Sequence, residues 1–224
     1  MKGVIAGNRW YFPVILVALM LGSCGCSGAA RGAKSGPAAE PQLTLEQRMI
    51  KYQDTLREKP ENVEALYQMG NVYFDMGDFT EAIQHYQRAL QRDPEHLPAR
   101  ANLGGVLQEM GELEDAIAEY RKVLEKSPED ARAHSNLGNA LYVNGQVADA
   151  VDEFRGALEI DPDNPHAHYN LGVAFADEGY YDEALVEWRK VVEVLPESDV
   201  ADAAERNIEG IERARQTYRK SPGS

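Results

Sequence analysis

The chain has 224 residues, of which 43% are hydrophobic and 27% charged, so it contains enough apolar sequence for one sizeable folded unit. Its formal net charge of −14 disfavours nucleic-acid binding, because that affinity depends on Lys and Arg side chains that neutralise phosphates. The same charge repels an anionic membrane surface unless the chain is tethered to it. The acidic bias either favours basic partners or keeps the surface solvated, and solvation is the commoner reason.

The N-terminal segment, residues 1–23, has the pattern of a secretory signal peptide. Its only charges are Lys2 and Arg9, and an apolar run follows from Trp10 to Leu21. A helix of that length spans about 18 Å, which is too short for a hydrocarbon core of about 30 Å. We therefore expect a cleaved leader, with an uncleaved anchor as the alternative.

A short motif, Leu21-Gly22-Ser23-Cys24, follows the apolar run. It resembles the bacterial lipobox, in which the Cys is acylated and becomes the new N-terminus. The resemblance implies acyl chains such as palmitate on Cys24, because Cys26 lacks a leucine three residues before it. In bacteria with two membranes, a residue other than Asp after the lipidated Cys implies sorting to the outer membrane. Gly25 occupies that place, so we expect an outer-membrane lipoprotein that faces the periplasm.

Residues 24–42 differ in composition from the sequence on either side. They consist largely of Gly, Ala, Ser and Pro and show no hydrophobic periodicity, which is typical of a flexible linker. A chain of this length has a root-mean-square reach of roughly 23 Å. We therefore expect the folded part to lie close to the membrane surface.

Residues 63–198 repeat with a period of 34 and without insertions. Five kinds of residue keep this phase through four copies, and their first members are Gly70, Gly77, Ala82, Tyr86 and Pro94. Only the aromatic varies in type, as Tyr, Tyr, Phe and Trp. A fixed period of this length indicates one supersecondary unit per repeat, stacked on its neighbours.

Each repeat has the features of a helical hairpin. The Gly70 set lies within a helix, where Gly costs about 1 kcal/mol relative to Ala; we expect it to pair with the small Ala82 set as two helices approach. The Gly77 set suits a left-handed turn, and the Pro94 set ends the second helix. The predicted first helices are 62–76, 97–110, 131–144 and 165–178. The predicted second helices are 80–92, 113–126, 147–160 and 181–194.

This pattern resembles the tetratricopeptide-repeat family over residues 63–198. The resemblance implies an all-α, right-handed α-solenoid of helix-turn-helix repeats within a domain at 43–220. The repeats are 63–96, 97–130, 131–164 and 165–198. The family often has an aromatic at position 4 of the repeat, whereas this chain has Leu66, Arg100, His134 and His168. We therefore expect looser or wetter packing at that position.

Flanking helices are predicted at 44–58 and 198–218. Thr44 and Gln47 have the spacing of a capping box, and Ser198 can cap the last helix. The predicted apolar side of that helix comprises Val200, Ala204, Ile208, Ile211 and Tyr218. A terminal element with one polar face is what a stacked array needs for solubility.

The resemblance implies a concave groove lined by positions 2, 5, 6, 9, 12 and 13 of each repeat. An amide side chain there can donate to a carbonyl and accept from an N–H, as backbone recognition requires. The alternatives are that Asn-Leu-Gly is only repeat consensus and that the tyrosines are packing residues. The candidate peptide-binding residues are Asn102, Asn136, Asn170, Asn71, Asn139, Tyr67, Tyr169 and Tyr142.

Some family members hold a partner's C-terminal carboxylate with Lys, Asn, Asn, Lys and Arg. The matching residues here are Tyr67, Asn71, Asn102, Arg132 and Asn136, so two cations are missing. Charge-assisted hydrogen bonds supply the strength of such a site. A carboxylate clamp is therefore not expected.

Nothing in the sequence indicates catalysis, a metal or a cofactor. It has no Gly-rich phosphate loop, nucleophile elbow or H-E-x-x-H motif. His166 and His168 are two residues apart and do not share a helix face. We expect a membrane-tethered, non-catalytic scaffold that binds a protein or extended peptide in cell-envelope or pilus–secretin assembly. A pilotin-like factor and an adaptor for cell-wall hydrolases fit equally, while a hidden enzymatic or accessory role is disfavoured.

We expect Cys24→Ser to abolish acylation and release the protein from membranes, because the thiol accepts the lipid and the acyl chains supply the anchoring. Metabolic labelling with a clickable fatty acid, followed by membrane fractionation, measures both effects. Cys26→Ser is the matched control and should retain the label. Label retained on the Cys24→Ser chain would contradict the assignment.

Overall fold

The fold was analysed in a computed structural model that describes residues 43–220, and within that range it consists of ten α-helices. The predicted leader, Cys24 and the whole of the predicted linker lie outside the described residues. None of the ten helices is long and apolar enough to span a membrane. The helices are α1 Leu45–Glu58, α2 Val63–Asp75, α3 Phe79–Arg92, α4 Leu97–Glu109, α5 Leu113–Lys126, α6 Ala131–Val143, α7 Val147–Ile160, α8 Pro165–Asp177, α9 Tyr181–Val194 and α10 Asp199–Lys220.

The helices pack as a curved stack of hairpins. Each helix contacts its neighbours in sequence, and the first helices of adjacent repeats also touch: α2 with α4, α4 with α6, and α6 with α8. The second helices of adjacent repeats, α3, α5, α7 and α9, do not touch one another. The first helices therefore lie on the inner, concave side. The predicted all-α solenoid is confirmed, and the predicted helices within the repeats agree with the observed ones to within one residue at each end.

Inside each hairpin, a glycine of the first helix faces an aromatic ring of the second. A Cβ atom added to Gly70 would lie 2.4 Å from the Tyr86 ring, and one added to Gly172 would lie 2.6 Å from Trp188 Nε1. At Gly138 the added Cβ would also lie 3.1 Å from Ala150 O, so the predicted approach of the Ala82 set to this glycine is seen in repeat 3 beside the ring. The alanines are fully buried, as Ala82 is at 0% exposure.

The turn of each hairpin depends on the second glycine. Gly77 has φ +78°, and its three counterparts have φ between +79° and +84°. Its N–H donates to Phe74 O at 2.9 Å, and the Asp78 N–H donates to Tyr73 O at 2.9 Å. These bonds satisfy carbonyls at the end of α2 and fix the direction in which α3 leaves.

Position 4 of repeats 2, 3 and 4 carries a basic side chain that bridges two oxygen atoms. Arg100 donates to Glu119 Oε2 at 2.8 Å and to Pro94 O at 2.7 Å. His168 contacts Glu187 Oε2 at 2.6 Å through Nδ1 and Pro162 O at 2.9 Å through Nε2. We call this arrangement the position-4 clamp; it ties the first helix to its own second helix and to the turn of the preceding repeat.

His134 forms the same clamp in repeat 3, with Glu153 at 2.6 Å and Pro128 O at 3.0 Å. In repeat 1 the position is filled by Leu66, which is 1% exposed. The prediction of looser or wetter packing at position 4 is therefore wrong.

The array stops where large cations replace its small residues. Arg48 of α1 stands 34 residues before Ala82 and pairs with Asp75 of α2. Arg206 of α10 stands 34 residues after Gly172 and is exposed. A further helix cannot pack closely over an arginine, which accounts for the end of the stack among the described helices. Tyr218, predicted on the apolar side of the last helix, is 52% exposed and lies outside that side.

The contact between glycine and ring predicts opposite effects for two Gly→Ala changes. Gly172→Ala should destabilise the fold by about 1–3 kcal/mol, because its methyl group overlaps Trp188. Gly210→Ala in α10 meets nothing within 4 Å and should stabilise it by up to about 1 kcal/mol through helix propensity. Urea denaturation monitored by circular dichroism measures both. Changes of the same sign would contradict this account of the hairpin core.

The clamp of repeat 4 predicts a loss of stability as the pH rises. Burial by itself lowers the pKa of His168, but the hydrogen bonds to the Glu187 carboxylate and the Pro162 carbonyl outweigh it and leave the pKa above 6.5. The stabilisation is therefore complete below 6.5 and is lost as the pH passes the folded-state pKa. His168→Arg, which installs the residue of repeat 2, should remove this dependence.

Losing one hydrogen bond costs about 1 kcal/mol, which corresponds to about 2–4 °C in Tm for a domain of this size. Between a pH of about 6 and about 8, the Tm of the wild type should fall by about 2–4 °C more than the Tm of His168→Arg. His85 is present in both proteins, so the comparison removes its effect on stability. Its pKa is lowered by burial and by the Arg88 charge, so its contribution to stability falls as the pH falls. Equal slopes for the two proteins would mean that the clamp does not titrate.

Candidate functional site

The concave groove is formed by the inner side of the first helices, α2, α4, α6 and α8, and by α10. All eight candidate groove residues lie on these helices and are partly exposed. Their side chains do not form one uniform row. They fall into an N-terminal set that bonds internally and a C-terminal set that includes unbonded amides.

The N-terminal set is a closed hydrogen-bond network around Asn71. The Tyr86 hydroxyl donates to Asn71 Oδ1 at 2.7 Å, and Asn102 Nδ2 donates to the same oxygen at 2.8 Å. Asn71 Nδ2 donates in turn to Gln68 Oε1 at 3.3 Å. Both lone pairs of the Asn71 oxygen are thus used, and the two asparagines link repeat 1 to repeat 2.

Tyr67 belongs to the packing of this end of the groove. Its ring centroid lies 6.1 Å from that of Tyr86 and 5.0 Å from that of His96, with tilted planes. Asn102 Nδ2 reaches its hydroxyl at 3.5 Å. A ring held on two sides by aromatic neighbours stabilises the junction of repeats 1 and 2, which favours the packing interpretation for this tyrosine.

Asn139 and Asn170 stand 68 residues after Asn71 and Asn102, two repeats along the array. The aromatic that corresponds to Tyr86 is Phe154, which has no hydroxyl to donate. Among the described residues, neither Asn139 nor Asn170 makes a side-chain hydrogen bond. Their amides therefore keep donors and acceptors for a ligand.

Asn136 is the third unbonded amide. Its counterpart Asn102 bonds to position 9 of the preceding repeat, but position 9 of repeat 2 is Gly105, which has no side chain. A Cβ added there would meet only the Tyr120 hydroxyl, at 3.7 Å. The groove is therefore open beside Asn136, and the three unbonded amides all lie on α6 and α8.

The two remaining tyrosines are bonded to the elements that follow them. The Tyr142 hydroxyl donates to the Asp177 carboxylate, and burial together with that bond raises the pKa of Tyr142. The Tyr169 hydroxyl accepts from Asn207 Nδ2 of α10 at 3.5 Å, and its carbonyl accepts from Trp188 Nε1 at 3.1 Å. These rings form fixed walls at the C-terminal end of the groove.

One cation enters the groove at position 2. Arg132 is exposed, makes no ion pair among the described residues and stands one helical turn before Asn136. It also lowers the pKa of His166, together with the larger effect of burial, so that ring stays neutral at neutral pH. Within residues 43–220, no three His, Cys, Asp or Glu side chains gather in a way that could hold a metal ion.

Comparisons with known proteins agree on the fold. A tetratricopeptide-repeat model matches residues 73–140 and again 107–153, and a TPR-repeat model matches residues 138–179. No curated protein sequence is a significant match.

Solved structures extend the likeness over most of the chain. MamA from Desulfovibrio magneticus RS-1 is 26% identical over 69% of this chain and 88% of its own, with a TM-score of 0.62. YrrB, described as a TPR protein with an unusual peptide-binding site, is 26% identical over 72% and 84%, with a TM-score of 0.58. TTC0263 from Thermus thermophilus is 21% identical over 73% and 90%, with a TM-score of 0.64, which shows a likeness of fold alone.

The 34-residue period, the stacked hairpins and both family models point to one conclusion. The chain belongs to the tetratricopeptide-repeat family, and its fold is that of a scaffold for protein–protein interaction.

Proposed function

We propose that this protein is a non-catalytic scaffold, held to the bacterial cell envelope by a lipid on Cys24, that binds an extended peptide segment of a protein partner in its concave groove. The lipobox supports the tether, and Gly25 supports an outer-membrane location facing the periplasm. The linker at 24–42 would keep the groove within roughly 23 Å of the lipid.

The observation that carries the proposal is the unequal state of the groove amides. Asn71 and Asn102 are hydrogen-bonded to each other, and Asn71 also accepts from the Tyr86 hydroxyl. By contrast, no side-chain hydrogen bond is made among the described residues by Asn136, Asn139 or Asn170. A half-exposed amide that the fold does not use offers one acceptor and two donors to a ligand. The peptide segment therefore lies across α6 and α8.

The spacing of these amides suits an extended chain. Packed helices lie about 8–10 Å apart, which corresponds to roughly three residues of extended backbone. Asn136 and Asn170 occupy the same position on adjacent first helices, so they would reach backbone groups about three residues apart. Arg132 would meet an acidic group beside that segment. The printed description of YrrB as peptide-binding makes the same kind of ligand reasonable here.

A groove that holds peptide backbone is tolerant of partner sequence, since amides bond to groups that every residue carries. A pilotin-like factor in pilus–secretin assembly would use it to hold an extended tail of its client. An adaptor that docks cell-wall hydrolases is the second candidate and would use the same contacts. Both roles need the tether and the groove together.

Two matched double variants test the proposal. Asn139→Ala with Asn170→Ala should weaken a groove-bound peptide by roughly 5- to 150-fold, because each lost hydrogen bond is worth about 0.5–1.5 kcal/mol. It should leave the Tm unchanged, because neither side chain bonds within the fold. Photocrosslinking at Val173, which follows Asn170 by one turn on α8, identifies the bound peptide. Calorimetry with that peptide then measures the affinity.

The matched pair is Asn71→Ala with Asn102→Ala. It should lower the Tm, because the Tyr86 hydroxyl loses its acceptor, and should change the affinity of the folded protein by less than about twofold. A loss of affinity in the Asn71→Ala, Asn102→Ala variant alone would overturn the proposed site. Equal affinity for both variants and the wild type would show that the groove asparagines are only repeat consensus.

A further inference from the structure

The convex side of the array carries its own grooves, because the second helices of adjacent repeats do not touch. Between α7 and α9 the gap forms a groove of about 500 Å³. Leu158 of α7 and Leu171 and Phe175 of α8 contribute apolar surface to it. We call this region the convex groove; it lies on the opposite side of α8 from Asn170.

The convex groove is extended by exposed apolar side chains that the other repeats lack. Val186 lines it and is 63% exposed. Tyr180 is 56% exposed, and its ring meets the Phe175 ring edge-on with centroids 6.4 Å apart. The residues at the position of Val186 in repeats 1 to 3 are Gln84, Ala118 and Asp152, and those at the position of Tyr180 are Asp78, Glu112 and Gln146.

Helix capping does not account for these replacements. Asp78 caps α3 by accepting from the Glu81 N–H at 3.2 Å, whereas Glu112, Gln146 and Tyr180 all leave their helices without a side-chain cap. Val186 gains little from folding because it stays exposed. Large apolar residues that are exposed in one repeat and polar or small in its three siblings indicate a surface that a partner covers.

The charges around the convex groove indicate what kind of partner. Glu159 and Glu183 line it and have no cation within 4.0 Å among the described residues. Arg155, its one cation, is 3.9 Å from Asp152 and largely exposed. An occupant with apolar side chains and flanking lysine or arginine would satisfy the apolar surface and the carboxylates at once.

The backbone around the groove indicates the form of that occupant. α7, α8 and α9 pair their backbone groups internally, so no sheet edge is present that could receive a strand. An amphipathic helix pairs its own backbone and lays an apolar stripe into such a groove. We propose that the convex groove docks a basic amphipathic helix of a second protein, independently of the peptide in the concave groove.

A synthetic probe tests the proposal on the full chain. The probe is a fluorescent peptide with Leu on one helical stripe and Lys elsewhere, and its control carries Glu in place of Lys. Val186→Asp should weaken the Lys peptide at least about tenfold by fluorescence anisotropy, since a central apolar contact is lost. Ala118→Asp, which places the same residue at the equivalent position two repeats away, should alter binding less than about twofold.

The comparison of Val186→Asp with Ala118→Asp separates docking in the convex groove from simple charge attraction. Both substitutions add one negative charge, so a purely electrostatic association would strengthen in both. Glu159→Gln with Glu183→Gln should weaken the Lys peptide about three- to tenfold, and the Glu peptide should not bind. Tyr180→Gln, which installs the residue of repeat 3, should weaken it as well. The Asn139→Ala, Asn170→Ala protein should bind normally, which keeps this test apart from the concave groove.

Several outcomes would overturn the proposal. Equal behaviour of Val186→Asp and Ala118→Asp would show non-specific binding, and equal binding of both peptides would remove the charge argument. A wild-type dimer in sedimentation that becomes monomeric in Val186→Asp would show that a second copy of this chain covers the groove. Because Val186 is exposed, the variant should keep its Tm, and melting curves check that first.

Discussion

The contact between one glycine and one aromatic ring sets the geometry on which the rest of this protein depends. In each hairpin the ring lies where a Cβ of the first helix would be, at 2.4 Å for Gly70 and 2.6 Å for Gly172. The two helices can therefore approach closely, the alanines of the second helix become fully buried, and every hairpin has the same shape. Identical hairpins stack at a constant angle, which produces the curved array and its two faces.

The sequence was sufficient for the helices because the period of 34 repeats every signal four times. The sequence was insufficient to predict which side chains at different positions of the repeat contact one another. Spacing alone predicted a close approach of the two helices at the Gly70 set, but not which atoms of the second helix lie against each glycine. The position-4 clamp was missed because the carboxylate that completes it is on the other helix: Glu187 lies 19 residues after His168, although Pro162 lies only 6 residues before it. Comparing positions 4 and 23 across repeats could have revealed it.

The groove amides show the same limit. In sequence, Asn71 with Asn102 and Asn139 with Asn170 are equivalent pairs. In the structure the first pair is closed by the Tyr86 hydroxyl, while Phe154 at the corresponding place has none. A hydrogen-bond network depends on every member, and here two members change: the Tyr86 hydroxyl is absent from Phe154, and Gln68 is replaced by the shorter Asn136. The leader, the lipid and the partner stay predictions, since they rest on residues or molecules outside the described part.

The two faces offer different chemistry on the same helix. Asn170 presents an amide to the concave groove, and its neighbour Leu171 contributes apolar surface to the convex groove. Coupling between such sites requires a helix that has two arrangements. α8 is held by the contact of Gly172 with Trp188, by the clamp of His168 and by the bond from Trp188 to Tyr169 O. With three anchors on one helix, occupation of one face should leave the other unchanged, so the array can hold two partners side by side.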